Sequence, residues 1–313
     1  MDNKPTRDGF GEGLVELGKA NPNVVVLSGD LEDSTRAIWF KEKYPERFFQ
    51  IGIAEQNMVG AAAGFALSGK IPFACSFGVF VTGRAWEHIR TSVCNMNLNV
   101  KIGGSHCGVS VGADGTTAEA MEDIAIMRSQ VNMTVLVPGD AIEAKKAAIA
   151  AARHPGPVYI RFGRSAVPIL TEEKTPFVIG KANRLRDGKD VSLIACGIMV
   201  SYALEAVKQL AQEGIEAEVI NMHTVKPIDR QILLEAARKT GAIVTAEEHS
   251  VIGGLGGAVA EILAEEYPVP MKRIGIQDRI GESGTPEELL KLFHLMPEDI
   301  TKAARDVIRR KKV

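Results

Sequence analysis

One acid, Glu55, stands in the stretch GIAEQNMVGAAAGFAL (52–67), between an apolar segment and a run of small residues. In the first turn of a helix that follows a strand, an acid is favoured by the helix dipole alone. Residues 59–67, however, are nearly all Gly, Ala or apolar, so this helix should pack closely against another element. Buried carboxyls titrate higher than exposed ones and can carry a proton near neutrality, which makes such a site suitable for proton transfer. Other polar groups fall just beyond predicted strand ends. His106 and Asp114 lie in GSHCGVSVGADG (104–115) after VKI, Asp30 and Ser34 follow VVVLS, and Arg164 follows YIRFG. Open α/β sheets bind ligands at the carboxyl ends of their strands, and glycines in such loops permit close backbone approach. Helix capping is a competing use for Asp30 and Ser34.

The elements that must position these residues show a regular alternation. VVVLSGD (24–30), FFQIGI (48–53), VKIGG (100–104), TVLVPGD (134–140) and PVYIRF (157–162) are short, β-branched and bounded by Gly or Pro, as buried strands are. Amphipathic stretches such as AIEAKKAAIAAARH (141–154) lie between several of them. After a polar, Pro- and Gly-containing stretch the pattern restarts with DVSLIACG, YALEAVKQLAQEG, EAEVINM, DRQILLEAARKTG, AIVTAEE and MKRIGIQ. The expected fold class is therefore α/β, with two doubly wound domains, each a mostly parallel sheet covered by helices. The first is expected over 1–170, a linker over 171–188 and the second over 189–313. The turn IGGLGG (252–257) has Val259 where a dinucleotide fingerprint needs its last Gly, and reads as strand-to-helix packing.

Composition narrows the function classes. The chain has 313 residues, 45% hydrophobic and 24% charged, enough for two ordinary domains. A net charge of -2 and a pI near 6.3 argue against nucleic acid or an anionic membrane as the main partner. The basic RRKK at 309–312 closes a helical pattern, where cations favour the dipole. Cys75, Cys94, Cys107 and Cys196 lack CxxC or zinc-ligand spacing and read as free thiols in a reducing compartment. The N-terminal residues lack the apolar core of a signal peptide, and no apolar run approaches the ~20 residues that span a bilayer, so the chain reads as cytoplasmic.

The segments SGDLEDST, IGIAEQNM, CSFGVFVTGRAWEHIR, GSHCGVSVGADG, EDIAIMR, VYIRFGRSAVP, HTVKPID and EEHSVIGGLGG resemble, in order and spacing, the transketolase family. They correspond to its pyrimidine-binding and C-terminal domains. The resemblance implies thiamine diphosphate as cofactor and puts Glu55 against the N1′ nitrogen of the aminopyrimidine. There a carboxyl stabilises the imino tautomer, whose exocyclic nitrogen can take the proton from the thiazolium carbon. It implies that Phe77 and Phe80 flank the pyrimidine ring and that Asp30 lies beside cofactor and substrate. His106 would face the sugar substrate and act in catalysis, Asp114 would meet a donor hydroxyl, and Ser34 and Arg164 would bind the sugar phosphate. A planar guanidinium suits that last task because it pairs bidentately with phosphate oxygens. Three positions depart from relatives: Gly83 replaces an aromatic, Cys107 an Asp, and Ala118 a His or Gln. His223, Lys226, Asp229, Glu247, Glu248 and His249 are assigned mainly to folding and subunit contacts, since the family's C-terminal domain contributes little to the chemistry.

The resemblance implies the C-terminal subunit of a split transketolase, which moves a two-carbon ketol unit from a ketose phosphate to an aldose phosphate. In the family the N-terminal domain holds Mg²⁺ and the diphosphate through GDG followed by Asn, and this chain contains no GDG. A divalent cation must offset the diphosphate charge. The implied partner is thus an N-terminal subunit carrying GDG…N and the Mg²⁺ ligands, with no metal ligand on this chain and with homodimerisation besides. Rival readings are the β subunit of a 2-oxoacid dehydrogenase decarboxylase, a 1-deoxyxylulose-5-phosphate synthase-like half, and a non-catalytic α/β subunit.

Overall fold

The computed structural model describes residues 3–311. Met1, Asp2 and, from the basic terminal run, Lys312 lie outside the described residues; Arg309 ends the helix Pro297–Arg309. A two-stranded ribbon pairs β1 (Asn3–Pro5) antiparallel with β8 (Ala166–Pro168). The first sheet contains β2 (Val24–Ser28), β3 (Phe48–Gln50), β4 (Ile71–Phe77), β5 (Lys101–Ser105), β6 (Thr134–Leu136) and β7 (Val158–Arg161). These six run parallel in the order β6-β7-β5-β4-β2-β3. The second sheet has β9 (Asn183–Arg186), β10 (Val191–Ala195), β11 (Ala217–Asn221), β13 (Ile243–Ser250) and β14 (Met271–Ile276) in the order β14-β13-β10-β11-β9, all parallel but β9. The protein therefore consists of two α/β domains with mostly parallel sheets. β9 begins inside the stretch expected as linker. More unexpectedly, β12 (Thr224–Lys226), from the second half of the chain, pairs antiparallel with β6 and becomes the seventh strand of the first sheet.

The central strands are buried along their whole length and are mostly apolar, although Lys101, Ser192, Glu218 and Asn221 are buried within them. Alternation splits each between two layers. Val24 and Val26 join Phe10, Leu14 and Phe73 under one set of helices, while Val25 and Leu27 join Met58, Val59 and Ile102 on the other face. This second layer continues without a break into Ile194, Ile220 and Met222, so one core serves both domains.

The outer layer of the first domain relies on close helix contact. The helix Thr6–Ala20 crosses the alanine-rich helix Ala141–Arg153, and a Cβ on Gly9 would lie 1.8 Å from the carbonyl oxygen of Ala141. Asp140 caps the second helix by accepting the N–H of Glu143 at 2.8 Å. Its other oxygen accepts the N–H groups of Leu170 and Thr171 at 2.8 and 2.6 Å, which ties down the connection between the domains. Because the atom opposing Gly9 belongs to backbone, Gly9→Ala can be relieved only by moving a helix. It should cost about 1–3 kcal/mol and lower the urea midpoint without changing the slope; an unaltered midpoint would show that the two helices are less closely apposed.

Candidate active site

The loops after β2, β3, β4 and β5 leave the same rim of the first sheet, because these strands are parallel neighbours. Glu55 opens the helix Glu55–Leu67 beyond β3 and is 1% exposed. Ser76 Oγ, from β4, donates to its Oε1 at 3.3 Å, and Arg84 Nη1 donates to both carboxylate oxygens at 3.2 Å. Arg84 also covers Phe80, with its guanidinium carbon 4.1 Å from the ring centroid. Glu55 is therefore a buried carboxyl whose cationic partner has a side chain that is 45% exposed.

Phe77, at the end of β4, joins this acid to a second group of residues. Its ring stacks on Phe80 (centroids 5.6 Å apart, 18° between planes) and, more closely, on the His106 imidazole (4.0 Å, 17°). His106 is buried in left-handed backbone, φ 57°, and its Nδ1 lies 2.8 Å from Ser105 Oγ. Burial, then the charges of Arg7, Arg164 and Arg36, push this histidine down to about 3. It is a neutral ring at physiological pH, able to give and take hydrogen bonds without carrying charge.

The three arginines have different anchors. Arg36 Nε donates to Asp8 at 2.7 Å, Arg164 Nη1 pairs with Asp114 at 3.3 Å, and Arg7 Nη1 donates to the backbone oxygen of Ser34 at 3.2 Å. Arg7 Nε is buried with no hydrogen-bond partner. Arg7 is held below the usual arginine range by burial and then by Arg36. With Arg164 it lines one side of a cavity of about 560 Å³ whose other side is formed by Gly284 and Thr285 of the second domain. A cationic wall with an unsatisfied N–H is a place for an anion.

The residues singled out from sequence thus fall into two linked groups. Glu55, Phe77 and Phe80 form one, and Ser34, His106, Asp114 and Arg164 the other. Asp30 lies at the junction of β2 with the rim in left-handed backbone, φ 64°, and gives its N–H to Gln50 Oε1 at 2.9 Å. A Cβ on the preceding Gly29 would come within 3.4 Å of Ser76 Oγ, which places Asp30 close to the acid end. Sequence reasoning missed Arg7, Arg36, Ser76 and Arg84. Only Arg84 carried a signal: it is four residues after Phe80 in the segment already quoted, one helical turn on. Of the three departures, Cys107 is buried against Gly104 O and Tyr159 OH, Ala118 packs with Phe77 and Val111, and Gly83 faces open space.

The comparisons with known proteins bear on this geometry. A family model described as the transketolase pyrimidine binding domain matches residues 2–169, and one described as the transketolase C-terminal domain matches 180–300. The chain belongs to the transketolase family. It is 46% identical over 310 residues to a putative transketolase C-terminal section of Methanocaldococcus jannaschii, covering 98% of this chain and 97% of that one. It is 44% identical to a 6-deoxy-6-sulfo-D-fructose transketolase subunit of a Clostridium species, covering 97% and 95%. A solved structure described as a split gene transketolase, inactive beta4 tetramer, superposes with a TM-score of 0.92 at 50% identity, covering 98% of this chain and 99% of that one.

Transketolases depend on thiamine diphosphate. The pyrimidine half of that cofactor fits what the rim offers: one buried carboxyl beside a stacked aromatic pair, with a half-exposed Arg84 as the displaceable neighbour. Among the described residues no three His, Cys, Asp or Glu come together as a metal site. No helix among the described residues is long and apolar enough to cross a membrane. The charge balance around His106 gives a direct check. In NMR of labelled histidine its signals should stay those of a neutral ring between about pH 5 and 8, and inorganic phosphate, by offsetting Arg7 and Arg164, should raise its titration point. Ordinary titration near 6.5 would mean that the arginines do not converge on the imidazole.

Proposed function

We propose that this chain is the C-terminal subunit of a two-subunit transketolase and transfers a two-carbon ketol unit from a ketose phosphate to an aldose phosphate. The observation that carries the proposal is the stack Phe80–Phe77–His106, which joins a carboxyl suited to a cofactor ring to an arginine-lined anion pocket. Thiamine diphosphate, when bound, would supply the nucleophilic carbon. Glu55 would hold or release a proton for its pyrimidine ring, and Phe77 and Phe80 would pack against that ring. The neutral His106 and Asp114 hydrogen-bond the sugar hydroxyls. Arg164, together with Arg7 and Ser34, holds the phosphate at the far end. Asp30 lies between cofactor and substrate.

The other half of the cofactor site is assigned to an N-terminal subunit with a GDG…N motif, which would supply the Mg²⁺ ligands. Pairing with a second copy is supported by the helix that begins at Glu55. Gly60 and Gly64 on it have no atom within 4 Å of an added Cβ, and Ile53 and Leu67 are 73% and 65% exposed. Such a smooth apolar face calls for cover. The sulfosugar named for one relative also ends in an anion, so the arginine pocket by itself does not select phosphate over sulfonate.

The complete mixture of this chain, the partner subunit, thiamine diphosphate, Mg²⁺, xylulose 5-phosphate and ribose 5-phosphate should yield sedoheptulose 7-phosphate. Omitting the partner should abolish it, and robust turnover by this chain alone would overturn the division of labour. In the assembled enzyme Glu55→Gln should lower turnover by about two to four orders of magnitude at an unchanged melting temperature. Arg164→Ala should raise KM for xylulose 5-phosphate far more than for hydroxypyruvate, which has no phosphate to lose; equal losses would assign Arg164 to structure.

A further inference from the structure

Behind the loop that carries His106 and Asp114, two carboxyls from the two domains face each other. Glu248 comes from β13 and Glu119 from the first domain, and they are 4% and 1% exposed. Glu248 Oε1 accepts the backbone N–H of Ser110 at 2.5 Å. Gly108 makes this approach possible: its φ is 81°, and a Cβ there would lie 2.2 Å from the Glu248 carboxyl carbon. On the other flank, Thr116 Oγ1 donates to Gly281 O at 2.6 Å, and a Cβ on Gly281 would lie 1.5 Å from Glu119 Oε2. Neither oxygen of Glu119 makes a hydrogen bond of normal geometry. The second domain thus grips segment 108–119 at both ends, through one carboxyl it supplies and one it covers.

We propose that Glu248 and Glu119 are positioning residues of the substrate site, which hold the loop bearing His106 and Asp114 in place. Arg161 is the cation facing Glu248, and it is already paired with Asp123 at 2.8 Å. Glu282 adds a further carboxylate beside Glu119, and Tyr202 faces Glu248. On the same strand Glu247 is satisfied by the N–H groups of Leu255 and Gly256, and the His249 ring accepts the Ala125 N–H at Nε2 and has Nδ1 on Ser250 O. Arg161 is shared among Asp123, Glu248 and Glu247, so it does not fully offset the charge of any one of them. Burial pushes both glutamates up to about 7, and the neighbouring Glu248 adds to the effect at Glu119. A carboxyl raised in the folded state contributes stability fully below its unfolded value of about 4.5, and that contribution is lost as pH rises through the folded value. The Ser110 N–H works the other way at Glu248, because a hydrogen bond donated to a carboxyl favours its charged form, so this contact with the loop persists through neutrality.

The kinetic part of the inference rests on the proposed reaction, but the loop itself can be followed without it. In hydrogen exchange on the full chain, peptides covering 108–119 should lose protection in Glu248→Ala and keep it in Glu248→Gln, whose amide oxygen still accepts from Ser110. Identical exchange in wild type and Glu248→Ala overturns the proposal. In the assembled enzyme Glu248→Ala should raise the ketose phosphate KM roughly tenfold with a smaller change in kcat, and Glu248→Gln should restore it. A loosened loop with unchanged KM overturns the positioning role. Absence of turnover in the wild-type assembly counts against the reaction, while the exchange arm still decides whether the carboxyls hold the loop.

Discussion

Arg161 reaches from the end of β7 into the seam between the domains, with 6% of its side chain exposed, and meets an Asp123 that is not exposed at all. Burial by itself would push Asp123 up, but the Arg161 charge and the hydrogen bonds from Arg161 and Tyr159 hold it below the usual carboxylate range. The remaining guanidinium N–H groups reach backbone on both sides, Ala120 O at 3.1 Å and Glu248 O at 2.9 Å. A buried ion pair of this kind need not add net stability relative to an apolar one, but breaking it by removing one partner costs about 3–5 kcal/mol. Its effect here is to fix geometry. It determines where β13 lies against the first sheet, and so where Glu248 meets the segment after His106.

From that seam the site can be followed outward. The loop 105–119 has the second domain behind it and Phe77 in front, so His106 is pressed between a packed wall and an aromatic face. The arginines cluster on its far side at a distance from the Glu55 carboxylate. Positive charge near an imidazole and a cation on a carboxylate are opposite settings, and the protein keeps them apart with apolar rings. The assignment of the second domain to folding and subunit contacts thus needs refinement: Gly284 and Thr285 line the anion pocket, and Glu248 touches the loop that carries a site residue.

Much of the fold was legible because its central strands are fully buried and therefore mostly apolar, as in VVVLS and VSLIA. FFQIGI forms a strand only as far as Gln50, since Gly52 turns into left-handed backbone, φ 83°. The three residues of β12 carried no readable signal: their partner lies about ninety positions earlier in the chain, in the other sheet. The site shows the same division. Glu55 was readable because an acid before a run of small residues is a local anomaly. Arg7 was not, because an arginine in the first turn of a surface-facing helix looks ordinary until the chain brings it beside Arg164. Ser76 was hidden by its place in an apolar strand, where only the neighbouring carboxylate explains a hydroxyl.

The seventh strand of the first sheet limits how this protein can be divided. β12 covers the edge of β6, and the layer beneath it runs from Met58 and Ile102 into Ile220 and Met222. Severing the chain between residues 171 and 188 would leave one piece with an uncovered strand edge and half a core, and the other with a displaced strand and the matching half. Open edges of that kind pair with whatever strand is available. The two domains are distinct in their sheets, yet they share a strand pairing and a core layer, so neither can be cut free with its packing intact.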